Sequence, residues 1–589
     1  MPREKLPVVI NNLKFLLTSD IPLAAALYEL DICGYYKSVK YNRLRGFLSL
    51  DWTDPSRLET NFHPLTNPCI QFVTKKLNVR CLWKVGLKDQ IIDKFLSRFI
   101  KVGFQNKFPF RNQFIWDITS NFIKQSIPYP IPPYRDKVEE RLSRVHKIVC
   151  DVLIVGAGIS GLACASELSK AKAKVVVVDA DSMVGGYCRY YTNTYKYVNE
   201  LQEELKNQDV SILLNTVFEG VLEDAAIGYN YINHDIYLFN YKYLVLACGS
   251  RFLPAVFENN DLPRIMLASA TIKLMNQYGI KPGSKGIVIG ANPWGFRVAS
   301  ELKSKGIDVT IIDKVGEDIV KRRYPREVVH EDVEIIYNAR ILKAIGKGGV
   351  KEAILEVDGD RIKIGANFIS MASYMSPAVE LAGQLKLKIG FHVTLGGFIP
   401  LHNWIGQSTN PNVYIVGNLG GVLPEYVNIQ LSRAVGLSIA SNLGLRVDEK
   451  LIDEYIDVAT DTLRKNYPEV YISMQSLVDC YNKGVDLNYF DESPTWHGGS
   501  EHKQFICYCL DITTSDIRSL LSTLHTVNIE LLKRHSGLCT GRCQGKHCLA
   551  NAVMIISEIT GKNPTEVGVP RQRFPILPLD FASIGGLEA

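Results

Sequence analysis

The chain has 589 residues, 46% of them hydrophobic and 22% charged, with a net charge of +6. That length is too great for one hydrophobic core and predicts three or four domains. The near-average composition, the lack of any run of about 18 apolar residues and the lack of a basic stripe interleaved with aromatics argue against a membrane span and against nucleic-acid binding.

The start, MPREKLPVVINNLKFLLTSD, carries no secretory-type cleavage site, so a cytoplasmic location is expected. From Lys14 to about Val102 the pattern reads as a small α+β domain with a helix over Ile21 to Leu30. Residues 106–135 are rich in aromatics and proline and suit an extended connector. Residues 150–180 then give a buried strand, a glycine turn, a helix and a second buried strand, and residues 286–313 repeat that order. Two such units predict two dinucleotide-binding domains.

In the first unit Gly156, Gly158 and Gly161 have the spacing a pyrophosphate site requires. The first glycine turns the chain, the second admits the phosphates and the third lets helix and strand pack. Ile159 and Ser160 open the helix, whose N-terminus offers N–H donors and partial positive charge. Asp179 ends the second strand, where a carboxylate can bind ribose hydroxyls, and Ala180, Gly185 and Gly186 follow in one short loop. LVLACGSR, with Ala247 and Gly249, and NVYIVGNLGG, with Gly417 and Asn418, run two further buried strands into glycines. The second unit has Gly290, Asn292 and Gly295 with Pro293 and Trp294 between. A Cβ at the middle position is expected to crowd a pyrophosphate and disfavour tight NAD(P)H binding there.

Eight of thirteen cysteines are scattered singly and five cluster near the C-terminus, which favours metal over disulfide chemistry. Cys507 and Cys509 form a Cys-x-Cys pair, and Cys543 and Cys548 follow within GLCTGRCQGKHC. Four thiolates in two close pairs can hold an iron–sulfur cluster or zinc, and a Cys-x-Cys pair is less typical of zinc. Cys539 is set aside as a neighbour. A capping box at Thr513 and Asp516 starts one helix, and Gly561 stops another that follows Cys548.

These parts in this order resemble the alpha subunits of the heteromeric sarcosine oxidase, dye-linked proline dehydrogenase, opine dehydrogenase and hydrogen cyanide synthase group. The resemblance rests on PLAAALYELDICGYYKSVKYNRLRGF, the GAGISG unit with Asp179 and Gly185–Gly186, the VYIVGN turn, Cys-x-Cys with GRCQGKHC, and VPRQRFPILPL. It implies a multidomain α/β chain with two Rossmann-like dinucleotide-binding domains, an N-terminal ferredoxin-like α+β domain and a small helical C-terminal 2Fe-2S domain of the bacterioferritin-associated ferredoxin type. The expected plan is a ferredoxin-like domain without a cluster over 1–105 and a linker over 106–149. An FAD/nucleotide-binding domain spans 150–270 and 395–445, around a second dinucleotide-binding-like domain over 271–394. A helical linker follows at 446–500, then the 2Fe-2S domain at 501–562 and an extended tail at 563–589.

The resemblance also implies a 2Fe-2S cluster on Cys507, Cys509, Cys543 and Cys548, and FAD, NAD or ATP at the first dinucleotide site. It implies FMN at an interface with an FAD-containing beta subunit that oxidises a sarcosine- or proline-type amine, further small subunits, and no substrate-oxidising residues on this chain. LVLACGSR and NVYIVGNLGG also resemble the paired strand-to-glycine turns of two-domain FAD/NAD-dependent oxidoreductases, which commonly place an aspartate where Asn418 stands here, and the long folate-binding domain of bacterial sarcosine oxidase alpha subunits has no counterpart in these residues. Two rival readings are a self-contained NAD(P)H-dependent flavoprotein reductase and a scaffold holding zinc and a nucleotide.

Overall fold

The computed structural model describes residues 3–579 except 39, 62–65, 76, 82–142, 223–224, 325–332, 492–493 and 495–496. Most of the expected 106–149 linker, the end of the first expected domain and the last ten residues of the tail therefore lie outside the described residues.

Near the N-terminus, Lys5–Ile10 alternates exposed and buried side chains. It pairs antiparallel with Leu13–Thr18 and parallel with Asn78–Arg80, which pairs in turn with Glu59–Thr60. The helix Leu23–Glu29 buries its alanines and leucines against this sheet. The same core takes in Met266, Ala270 and Leu274, so this domain is packed onto the second dinucleotide domain.

Val152–Val155, Val175–Val178, Val210–Leu213, Tyr243–Leu246 and Val413–Ile415 form one parallel sheet, with Val152–Val155 central. Four consecutive valines at 175–178, all buried, are what a strand covered on both faces requires. The edge strand at 413 returns the chain to this sheet after the second domain, whose own parallel sheet has the order Ile265–Leu267, Phe368–Met371, Lys285–Ile289, Asp308–Ile312, Glu334–Ile336. That sheet thus begins before residue 271. The last five residues of the expected linker, Val145–Val149, form a strand parallel to Ile236–Asn240 in an accessory sheet beside the first domain.

Helices Lys450–Asn466 and Pro468–Lys483 lead to the cysteine-bearing segment, where Phe505–Cys507 pairs with Ile512–Thr513. A short helix, Pro564–Val567, stands in the stretch expected as an extended tail, and three longer helices precede it, Thr514–Leu524, Ile529–Ser536 and Leu549–Thr560. The first starts with the Thr513–Asp516 capping box and the last ends at Gly561 with φ +69°. The middle one, capped by the Asn528 side chain, is not among the elements expected from the sequence. The core of this segment is continuous with that of the first dinucleotide domain.

Candidate functional site

Gly156 adopts φ +118°, and a Cβ on it would lie 2.3 Å from the Ala247 carbonyl oxygen. A Cβ on Gly161 would lie 1.9 Å from the Gly156 oxygen. These two glycines are demanded by the protein's own packing. Gly158 is different: its Cβ would meet nothing nearer than the Gly186 Cα at 4.0 Å. The space beside it opens onto a cleft, and no side chain caps the helix Ile159–Lys170 that begins there. This is the cradle that a pyrophosphate needs.

Asp179 Oδ2 accepts from the Ala157 N–H at 2.6 Å and Oδ1 from the Asp181 N–H at 2.7 Å. Burial lifts its carboxyl to about 6. Asp181 is half-buried, but Lys273 and Arg189 outweigh its desolvation and hold its carboxyl below the usual range; Arg189 lies 2.5 Å away. Gly417, with φ +67°, faces the Ser160 hydroxyl, and Asn418 donates to Ser250 Oγ at 3.1 Å while accepting from Asn428 Nδ2 at 2.8 Å.

The structure gathers Gly156, Gly158, Ile159, Ser160, Asp179, Ala180, Gly185, Gly186, Ala247, Gly249, Gly417 and Asn418 around one cleft, with Gly161 behind it. It adds walls that no local sequence signal identifies: Asp51, Trp52 and Thr53 of the N-terminal domain, Lys273 and Trp294 of the second dinucleotide domain, and Ile576 of the tail.

The second dinucleotide unit repeats the first almost atom for atom. Gly290 has φ +114°, and Asp313 accepts from the Ala291 and Val315 N–H groups at 2.5 and 3.0 Å, as Asp179 does from Ala157 and Asp181. Asn292 breaks the parallel. Its Oδ1 accepts from the Trp294 and Gly295 N–H groups, each at 3.0 Å, and its Nδ2 donates to the Ala372 oxygen at 2.7 Å. Pro293 has no N–H at all. At this helix start the donors are thus taken by the protein's own amide, a different obstacle from the Cβ crowding expected from the sequence.

The cysteines come together from two loops. Cys507, Cys539, Cys543 and Cys548 are buried and Cys509 is half-buried. The Cys509 thiol is pushed up to about 12, first by its hydrogen bond with Cys507, against a contrary bond with Cys543, with burial adding to the rise. The Cys543 thiol is raised by its bond with Cys509 and then by burial. Among the described residues no three His, Cys, Asp or Glu side chains stand in a finished metal-ligand arrangement. The donor set itself, crowded thiols that as thiolates would need a cation to offset their charge, fits an iron–sulfur cluster or zinc.

Neighbouring domains grip both cysteine loops. Arg45 donates to the Tyr508 carbonyl, between Cys507 and Cys509, at 2.8 Å. Lys546 donates to the Ile576 carbonyl at 2.7 Å, and His547 Nε2 lies 3.0 Å from Thr53 Oγ1. The Trp52 ring has the Arg251 guanidinium 5.9 Å and the Lys546 ammonium 5.5 Å from its centre. His502 bonds Ser515 near the surface, and His535 is exposed.

The pyridine nucleotide-disulphide oxidoreductase family matches residues 150–435, and the sarcosine oxidase A3 domain matches residues 501–587. The alpha subunit of sarcosine oxidase from Corynebacterium sp. (strain P-1) is 26% identical over 78% of this chain and 46% of its own length; that from Rhizobium meliloti (strain 1021) is 25% identical over 93% and 54%. The chain thus spans about half the length of these relatives. An opine oxidase subunit from Agrobacterium tumefaciens (strain Ach5) is 22% identical over 74% of this chain and 92% of its own. The crystal structure of L-proline dehydrogenase from P. horikoshii shares the fold, with a TM-score of 0.71, 19% identity and coverage of 99% of this chain and 98% of that one. Matched along both its dinucleotide-binding core and its cysteine-bearing end, the chain is similar to the sarcosine oxidase alpha subunits and their opine oxidase counterparts.

Proposed function

We propose that this chain is the cofactor-binding, electron-transfer alpha subunit of a heteromeric flavin-dependent dehydrogenase or oxidase acting on sarcosine- or proline-type amines, the amine being oxidised on a partner beta subunit. The observation that carries this reading is the open cradle at Gly158 and Gly186, in a cleft whose Thr53 wall touches the loop bearing Cys543 and Cys548. The first site is read as holding FAD, or NAD or ATP, the four cysteines a 2Fe-2S cluster, and the interface with the beta subunit FMN. When bound, such groups supply the coupling of two-electron oxidation to one-electron transfer.

The chain's own residues bind and position. Gly158 and Gly186 let the phosphates approach the backbone, and the uncapped helix at Ile159 offers its N–H groups. Asp179 keeps lone pairs free for ribose hydroxyls, and Asn418 presents an uncharged amide where a carboxylate is usual. Cys507, Cys509, Cys543 and Cys548 release their protons to ligate. Burial of Cys507, Cys543 and Cys548 keeps bulk water away from those sulfurs.

The self-contained NAD(P)H reductase is disfavoured because Asn292 occupies the donors such a ligand would need. An optical spectrum of the anaerobically purified complex tests the proposal. Flavin and cluster bands should bleach on adding the amine with the beta partner present; bleaching by NADH alone sinks the reading, and a colourless, zinc-containing protein supports the scaffold instead. Cys543→Ser should remove the cluster bands and leave the nucleotide bound, and unchanged iron content would mean the wrong ligands.

A further inference from the structure

The sequence pairs four cysteines and leaves a fifth, Cys539, outside the set. The structure does not leave it outside. Cys539 Sγ lies 3.8 Å from Cys548 Sγ, and both residues are almost fully buried. Two sulfurs bound to one metal at about 2.3 Å in tetrahedral geometry stand about 3.8 Å apart. The two glycines of the loop show the same accommodation. A Cβ on Gly541 would strike Cys509, at 2.2 Å from its Cβ and 3.1 Å from its Sγ; one on Gly545 would press on Cys539, at 3.2 Å and 3.3 Å. One glycine makes room for an expected ligand, and the other makes the same kind of room for the sulfur that was set aside.

We propose that Cys539 is a fifth, interchangeable ligand that shares the Cys548 corner of the metal site; this rests on the cluster reading above. When the Cys548 sulfur is lost, the Cys539 thiol gives its proton to water and its thiolate forms the metal–sulfur bond in that place. No electron changes hands. Among the described residues the thiol that bonds Cys543 is Cys509, itself an expected ligand.

The test uses the full chain purified anaerobically with its complex. Cys548→Ser should keep most of its iron and nucleotide with a shifted visible and EPR spectrum. Iron should fall about tenfold or more in Cys539→Ser/Cys548→Ser. Cys539→Ser alone should keep its iron but lose it to a chelator several-fold faster than the wild type, a measurement that stands even if Cys548→Ser does not fold. Iron absent from Cys548→Ser with nucleotide retained, or equal chelation rates for Cys539→Ser and the wild type, overturns the fifth ligand alone. A wild type without iron overturns the cluster reading and this proposal together.

Discussion

The two dinucleotide units, each with its own five-stranded parallel sheet, share their turn and their strand-end aspartate and differ at the middle position of the glycine turn. Gly158 and Asn292 both begin a helix from extended backbone, at φ −70°, ψ 175° and φ −131°, ψ 172°. Neither position needs glycine for its conformation. At Gly158 the lack of a side chain leaves helix donors open to the cleft; at Asn292 an amide takes them. A fold is thus retained while its ligand site is answered from within. The second domain contributes instead through packing, since its Trp294 lines the first cleft and lies edge-on to Phe252 with ring centres 6.1 Å apart.

The comparison can be broken most severely by making the first unit a copy of the second. Gly158→Asn should weaken nucleotide binding at least about 100-fold, because each charge-assisted bond to phosphate contributes about 1.5–3 kcal/mol. The Cβ has room, so circular dichroism should report an intact fold, and mass spectrometry should find no copurified nucleotide. A variant that keeps its nucleotide refutes the site. The reverse change, Asn292→Gly, should cost only a few tenths of a kcal/mol as a cap and give weak, millimolar binding of ADP-ribose by calorimetry, about −4 kcal/mol. No gain would show that Pro293 and Trp294 close the site without help from the amide.

The smallest effect concerns the covering of the first cleft. Glu219 Oε2 accepts from the Leu577 N–H at 3.0 Å, holding the tail whose Ile576 lines the cleft. Burial raises its carboxyl to about 8 from an ordinary 4.5. Between those values the unfolded chain gives up a proton that the folded chain keeps, so this group makes stability fall as pH rises. Glu219→Gln should therefore raise Tm at pH 8 by about 1 °C per kcal/mol recovered and leave it nearly unchanged at pH 4. An equal gain at both pH values would deny the ionisation a role.

Much of this was visible in the sequence because it is local. Buried valine runs, glycine spacing and the Thr513–Asp516 box each report on neighbours a few residues away, and the strands and helices stand where those patterns fall. Asn292 was visible as a residue but read through its bulk, when its hydrogen bonds matter more. What stayed hidden was non-local: Trp52 and Thr53 reach the cleft from a different domain, Ile576 from the far end of the chain, and Val145–Val149 becomes a strand only because Ile236–Asn240 lies beside it. No periodicity within a segment records such partners.

The Thr53 contact with His547 means that one short loop is a wall of the nucleotide cleft on one face and a brace for the cysteine loop on the other. A ligand that stills this loop from either side lowers the entropy to be lost when the other side is ordered. The two proposed sites therefore meet at this loop, and stripping one should hasten release from the other without any change of fold.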